Sequence, residues 1–360
     1  MSRATCATIH LGALRDNLRR LRELAGGARI MAVVKADGYG HGLERVARML
    51  VEADAFGVAC IADGQRLRAA GIRQRIIVLS GIDEAADIGE MHRLGLESTI
   101  HHASQIDWLA ADRNPRPLKV WLKIDSGMHR LGFAVADVAG ARARLLALPN
   151  VDRDIGLMTH FANSDVIGDA QTMAQIECFQ RTASDMPGAQ TLSNSAAVLG
   201  WPQARGQWIR PGGLLYGISV ATGTSGADFG FRPAMTLSSK LVAINRIARG
   251  EPIGYAATWT CPEDMDIGVV QIGYGDGYPR SAASGTPLLV NGRRAAIVGR
   301  VSMDLITVDL RGHDDARVGD PVILWGPRLP VEEIAAHAGT IGYELTCGMT
   351  RRVRFLEEMD

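Results

Sequence analysis

Eight short apolar runs, rich in β-branched residues, fall between the start of the chain and Ser219, and most are followed by a stretch of helical spacing. They are Ile30 to Val34, Phe56 to Ile61, Ile76 to Leu79, Glu97 to Ile100, Val120 to Ile124, Gly156 to His160, Thr191 to Ser193 and Leu214 to Ser219. Several are apolar on both faces, as strands covered by helices on both sides must be. Strand and helix in alternation predict a parallel sheet wrapped by helices. Eight repeats predict an N-terminal (β/α)8 barrel, with a doubly wound open sheet as the alternative. The first helix sets Leu11, Leu14, Leu18 and Leu21 on one face, lines the other with arginines, and stops at Gly26-Gly27.

After Pro233 the pattern changes to closely spaced strands separated by turns. Asn291-Gly292 lies between Leu288-Leu289-Val290 and Ala295 to Val298, and two residues that tolerate positive φ between apolar runs predict a hairpin. One helix, Val331 to Ala338, interrupts the strands. A chain of 360 residues is long enough for two domains of about 150. The expected division is a barrel over 1–230 and a mainly β domain over 231–360.

The 39 basic residues balance 39 acidic ones, so no overall field recruits nucleic acid or an anionic membrane. Phosphate binding, if present, must be local. No apolar run approaches the roughly 18 residues that span a bilayer, and arginines interrupt the amino terminus where a signal peptide needs an apolar stretch. A cytoplasmic location follows as the expectation. Cys6, Cys60, Cys178, Cys261 and Cys347 are scattered without a C-x-x-C pair, which predicts free, mostly buried thiols and no metal site.

Barrel enzymes keep their chemistry at the carboxyl ends of the strands, and these ends carry polar residues. Lys35 closes an apolar run and precedes Ala36-Asp-Gly-Tyr-Gly-His-Gly42. A desolvated lysine there would have the lowered pKa that an imine-forming amine needs; a surface lysine capping a strand is the plainer alternative. Lys123 to Arg130 gathers two cations, a carboxylate and a histidine, a combination that also suits a solvated turn. His160 ends another strand. Ser195 opens a helix, either as an anion site or as an ordinary cap. Arg210 precedes the paired Gly212 and Gly213, whose backbone N–H groups can approach a phosphate closely. Nucleoside triphosphate and dinucleotide motifs are absent from the sequence.

Together these segments resemble the alanine racemase family, which depends on pyridoxal 5′-phosphate. The resemblance covers nearly the whole chain. It rests on Ala32 to Gly42, Lys123-x-Asp-Ser-Gly-Met-x-Arg-Leu-Gly132, Thr159-His-Phe-Ala, Asn194-Ser-Ala-Ala, Arg210-Pro-Gly, Gly254-Tyr255, Gly273-Tyr-Gly-Asp-Gly-Tyr278, Ser302-Met-Asp304 and Tyr343-Glu. It implies a homodimer with shared active sites, in which Lys35 carries the cofactor. Tyr39, Ser195, Gly212, Gly213 and Tyr343 would bind its phosphate, and Arg210, backed by His160, would face its ring nitrogen. Tyr255 of the partner chain would be the second base, Arg130 and Met303 would hold the substrate carboxylate, and Tyr274 would narrow the access channel. Lys123 occupies a position carbamylated in many members. Asp304 belongs to the same motif as Met303 without an assigned task. Thr191 departs from members that carry histidine there, which puts the packing of the cofactor ring in question.

Racemisation removes the α-proton from one face of the amino acid and returns one to the other, so two bases are required. A racemase acting on serine or a broader set of amino acids is the alternative activity. A noncatalytic cofactor carrier built on the barrel alone is the third reading. It would need neither the β domain nor Tyr255.

Overall fold

The computed structural model describes residues 4–359. Its contacts divide the described residues into two compact units, one of residues 17–215 and 220–224, the other of residues 4–16, 216–219 and 225–359. Strand β1 (Cys6–His10) opens the described chain and runs directly into helix α1 (Leu11–Ala25). Leu14, Leu18 and Leu21 of α1 are buried, as their spacing predicts.

The first unit is a closed parallel barrel of eight strands. They are β2 (Arg29–Val33), β3 (Ala55–Val58), β4 (Arg75–Val78), β5 (Glu97–Ile100), β6 (Val120–Lys123), β7 (Gly156–Met158), β8 (Gln190–Thr191) and β9 (Trp208–Ile209). Seven coincide with the expected runs. Leu214 to Ser219 does not form the eighth strand, because Gly213–Tyr216 winds into a 3-10 turn and Trp208–Ile209 closes the barrel against Arg29 and Ile30 of β2. A two-residue strand is too short to display a period in sequence. Pairing is uneven around the ring: β3 and β4 share four residue pairs, whereas β8 and β9 meet at Thr191 and Trp208 alone.

The amino-terminal end of the barrel is filled. Met31, Ala55, Ile77, Trp121, Met158 and Trp208 form a buried cluster, with the two indoles edge to face at 5.9 Å. Glu97 is buried there and accepts Arg75 in a fork (2.5 and 2.8 Å) and the Trp121 indole N–H (3.0 Å), so its charge is paired. With that end sealed, the loops after the strands are the ones available for a site.

The second unit is mainly β. Its strands are β1, β10 (Met235–Ile247), β11 (Pro252–Ile253), β12 (Trp259–Thr260), β13 (Met265–Val270), β14 (Pro287–Val290), β15 (Arg293–Val298), β16 (Ile306–Asp309), β17 (Pro321–Trp325) and β18 (Arg354–Glu358). All of them except the β11–β12 hairpin belong to one sheet, in which β10 pairs with β1, β13 and β17 along its thirteen residues. The Asn291-Gly292 hairpin forms between β14 and β15, with φ of 49° and 75° at the turn. A helix spans Val331–Ala338 as expected, and a second, unforeseen one spans Gly342–Cys347. The division expected near residue 230 took no account of β1, which pairs with β10 antiparallel and β18 in parallel. Of the five thiols only Cys6 and Cys261 are buried; the expectation of mostly buried cysteines was wrong, since Cys60 and Cys347 lie on exposed helix edges.

Candidate active site

Lys35 follows β2 and starts α2 (Lys35–Tyr39), whose backbone is unusual. Ala36, Asp37, Gly38 and Tyr39 all have φ between 51° and 63°, a left-handed turn that L-residues avoid. Asp37 braces it by accepting the Leu43 N–H at the head of α3 (Leu43–Met49) and Arg66 of α4 (Ile61–Ala69), at 3.1 and 2.7 Å. Arg66 also forks onto Glu44 at 2.8 and 2.9 Å. The turn carries the Tyr39 hydroxyl over Gly212, where a Cβ would lie 2.3 Å from it. Lys35 itself is exposed, so the desolvation expected of it is not provided by the protein alone.

The buried lysine is Lys123, at the end of β6. Burial first, and then Arg210, Arg130 and Lys35, bring its pKa down to about 8. The loop that follows is wound around Asp125, whose carboxylate accepts the N–H groups of Gly127, Met128 and His129 at 3.0 to 3.1 Å. Burial pushes the Asp125 pKa up, but the His129 and Gly127 N–H groups outweigh it and hold the carboxylate low. Arg130 leaves this loop exposed. The solvated turn and the cation site are therefore the same segment.

Arg210, just beyond β9, is buried and fixed by carbonyls. Its guanidinium donates to the Thr159, Thr191 and Leu192 carbonyls (2.5, 2.8 and 3.3 Å) and to the Thr191 hydroxyl (2.7 Å), and its Nη2 lies 3.5 Å from His160 Nδ1. Burial lowers its pKa to about 10. His160 is held well below its usual value by burial and then by Arg210, Lys123, Arg130 and Lys35, which makes it a neutral imidazole near pH 7. Thr191, read from sequence only as a departure, is the side chain that orients Arg210.

Beyond β8, Asn194 caps the helix Ser195–Gly200 by accepting the Ala197 N–H at 2.9 Å. Ser195 is therefore not the cap. Its hydroxyl accepts the Gly212 N–H at 2.8 Å and the Leu214 N–H at 3.4 Å. Hydroxyl, backbone N–H groups and the Tyr39 phenol converge where a side chain at Gly212 has no room, with Gly213 next in the chain.

The β-rich unit holds the other candidates. Tyr255 sits in the turn between β11 and β12 and is 69% exposed. Met303 is 52% exposed in the turn before β16. Tyr274 occupies a turn after β13, with the Arg280 guanidinium 6.0 Å from its ring centre. Tyr343 is half-buried in the helix Gly342–Cys347, and Asp304 pairs with Arg352. Across the described residues, the non-glycine residues with positive φ are Ala36, Asp37, Tyr39, His129, Ala256, Ala257 and Asn291. Apart from the hairpin residue Asn291, each lies in the immediate surroundings of Lys35, Arg130 or Tyr255, and such backbone strain concentrates at functional positions.

Family comparison covers both units. The model for the N-terminal domain of alanine racemase matches residues 9–220, and that for its C-terminal domain matches 234–356. The chain belongs to the alanine racemase family. Alanine racemases from Nitrosococcus oceani and Shewanella baltica (strain OS185) are 52% and 49% identical to it, each over 96% of this chain and 97% of theirs. The solved biosynthetic alanine racemase of Pseudomonas aeruginosa superposes with a TM-score of 0.96 at 43% identity, covering 99% of both chains. That of Acinetobacter baumannii gives 0.93 at 34%, covering 99% and 100%. Two residues beside the candidate site are not singled out by the sequence: Arg66, which braces the turn after Lys35, and Arg352, which pairs with Asp304. Both are surface arginines outside any motif, and nothing in their spacing marks them.

Proposed function

We propose that the protein is an isomerase that interconverts L- and D-alanine, with pyridoxal 5′-phosphate at the carboxyl end of the barrel and Lys35 and Tyr255 as bases on opposite faces of the substrate. The reading is carried by the place where Ser195, Tyr39 and the N–H groups around Gly212 meet, closed to any side chain and one strand end from Lys35. That donor set fits a phosphate ester. Tyr343 completes it in this reading. When bound, the cofactor supplies the electron sink that makes the α-proton acidic.

Every other part is played by the chain. Lys35 would hold the cofactor through its amine, and its Nζ is the group that would accept or return a proton on one face of the substrate. Tyr255, reaching the site from the partner chain, does the same at its hydroxyl. Arg210 stays cationic at neutral pH, since a pKa of about 10 leaves it protonated. It would meet the cofactor's ring as a donor that keeps its proton, and neutral His160 behind it adds no charge. Arg130 and the Met303 backbone hold the substrate carboxylate, and Tyr274 narrows the approach to them.

Lys123, with a neutral amine available near pH 8, takes up carbon dioxide as a carbamate and turns a buried cation among cations into an anion that orients Arg130. The barrel part binds the cofactor and the part beyond residue 230 completes the partner's site in a cytoplasmic homodimer, with D-alanine for the peptidoglycan precursor as its product. Among the described residues no helix is long and apolar enough to cross a membrane.

The test is a racemisation assay with the cofactor-loaded protein on alanine and serine side by side. Alanine turnover at least tenfold faster than serine supports the reading. Comparable rates replace it with a broader racemase, and no turnover of either leaves the carrier reading. In parallel, borohydride followed by peptide mass should fix the cofactor on the peptide containing Lys35, and not at all in Lys35→Ala.

A further inference from the structure

Two motif aspartates are left without a task by this chemistry, Asp276 in the Gly273 to Tyr278 stretch and Asp304 beside Met303, and both meet one guanidinium. Arg352 places its Nε 3.3 Å from Asp276 Oδ1 and donates through Nη2 to Asp304. Asp276 is fully buried, and its other oxygen accepts the Gly273 N–H at 3.0 Å. The backbone joins the same three segments. The Tyr274 N–H donates to the Ser302 carbonyl at 3.0 Å, the Gly275 N–H to the Met303 carbonyl at 2.9 Å, and the Thr350 N–H to the Asp276 carbonyl at 3.2 Å. Contact is too close for side chains: a Cβ on Gly273 would lie 2.2 Å from the Ser302 oxygen, and one on Gly275 2.3 Å from Arg352 Nη1.

Peptide planarity gives this arrangement a direction. In a trans peptide the N–H points opposite to the C=O. With the Ser302 carbonyl turned toward Tyr274, the Met303 N–H is turned away from that turn, and it has no hydrogen-bond partner among the described residues. Arg352 also sets a cation against Asp304, whose carboxylate would otherwise repel an incoming anion next door.

We propose that Arg352 is a positioning residue for substrate: by tying buried Asp276 to Asp304 it fixes the Ser302–Met303 peptide and keeps the Met303 N–H presented to the substrate carboxylate. This rests on the reading that Met303 holds that carboxylate. Arg352 touches neither substrate nor cofactor. It acts through the peptide it immobilises, so its loss weakens substrate binding and leaves cofactor binding intact.

The experiment measures KM and kcat for both enantiomers of alanine, the Kd for pyridoxal phosphate by absorbance titration, and the thermal midpoint, on the cofactor-loaded protein. Arg352→Ala should raise KM about tenfold for each enantiomer, with kcat changed less and the cofactor Kd unmoved. Arg352→Lys, a point charge that cannot fork two carboxylates, should fall between it and wild type and serves if the alanine variant fails to fold. Asp304→Ala combined with Arg352→Ala should be no worse than Arg352→Ala alone. Met303→Pro, which deletes the N–H, separates the two levels of the argument. An unchanged KM there overturns the role of Met303 itself. A raised KM there, with wild-type KM in folded Arg352→Ala or Arg352→Lys, overturns the role of Arg352. A fall in thermal midpoint and kcat without a KM change also overturns it, since a structural contact alone would do that.

Discussion

The Lys123 ammonium is buried with Arg210, Arg130 and Lys35 around it, so it holds its proton less firmly than a lysine in water. Its pKa falls from 10.5 unfolded to about 8 folded. Between those values the unfolded chain binds the proton that the native state has released, and the contribution of this residue to stability therefore rises with pH. Below pH 8 the full penalty of a buried cation remains. A carbamate removes that penalty by replacing the cation with an anion beside Arg130 and Arg210. Added bicarbonate at pH 8 is expected to raise the thermal midpoint of wild type by a few degrees and to leave Lys123→Met unchanged. Native mass spectrometry should show the added carbon dioxide, lost on acidification. A wild type indifferent to bicarbonate would exclude the modification. Sequence placed a lysine at each of two strand ends but could not say which one is buried, because burial depends on neighbours that the fold brings from other strands.

The left-handed turn after Lys35 is an element whose conformation opposes its own residues. Ala36, Asp37 and Tyr39 cost roughly 1–2 kcal/mol each in that region, offset in part by the Asp37 contacts to Leu43 and Arg66. What the turn achieves is the placement of the Tyr39 hydroxyl on Gly212. Gly212→Ala should therefore weaken pyridoxal phosphate binding at least tenfold, measured by absorbance titration, because the new methyl would occupy the position of that hydroxyl. Tyr39→Phe in the same chain should recover part of the loss by removing the clashing oxygen, even though it removes a donor. A Gly212→Ala protein that binds the cofactor normally would show that the crowding is relieved elsewhere. Most barrel strands could be read from sequence because short apolar runs such as Ile76-Ile-Val-Leu79, each followed by a stretch of helical spacing, recur along the first part of the chain. The turn could not, since Lys-Ala-Asp-Gly-Tyr contains one glycine and no signal for three further positive φ values. β9 was missed for want of length, and β1 because its partners lie more than 220 residues away.

At the scale of the molecule, Tyr255, the proposed second base, is 69% exposed on the β-rich unit. If the partner chain receives Tyr255, then mixing Lys35→Ala with Tyr255→Phe after subunit exchange should restore roughly a quarter of wild-type activity, as half the dimers carry one intact site each. Absence of recovery after confirmed exchange would mean that each chain builds its own site. The uneven pairing of the barrel bears on its lifetime. With one residue pair between β8 and β9 and one backbone bond just beyond it, from the Arg210 N–H to the Ser193 carbonyl at 2.8 Å, the ladder there is short, and the Arg210 guanidinium, bonded to carbonyls of residues 159, 191 and 192, adds a side-chain stitch. Local opening should begin at this seam, so amides of residues 191–193 and 208–210 should exchange with deuterated water ahead of those in β3 and β4. Ser195 and Gly212 stand on either side of the seam, and a ligand gripped by both closes it with an energy that grows with the logarithm of ligand concentration. Proteolysis through the open form would then follow the supply of cofactor, and a cell short of it would lose the protein as well as its activity.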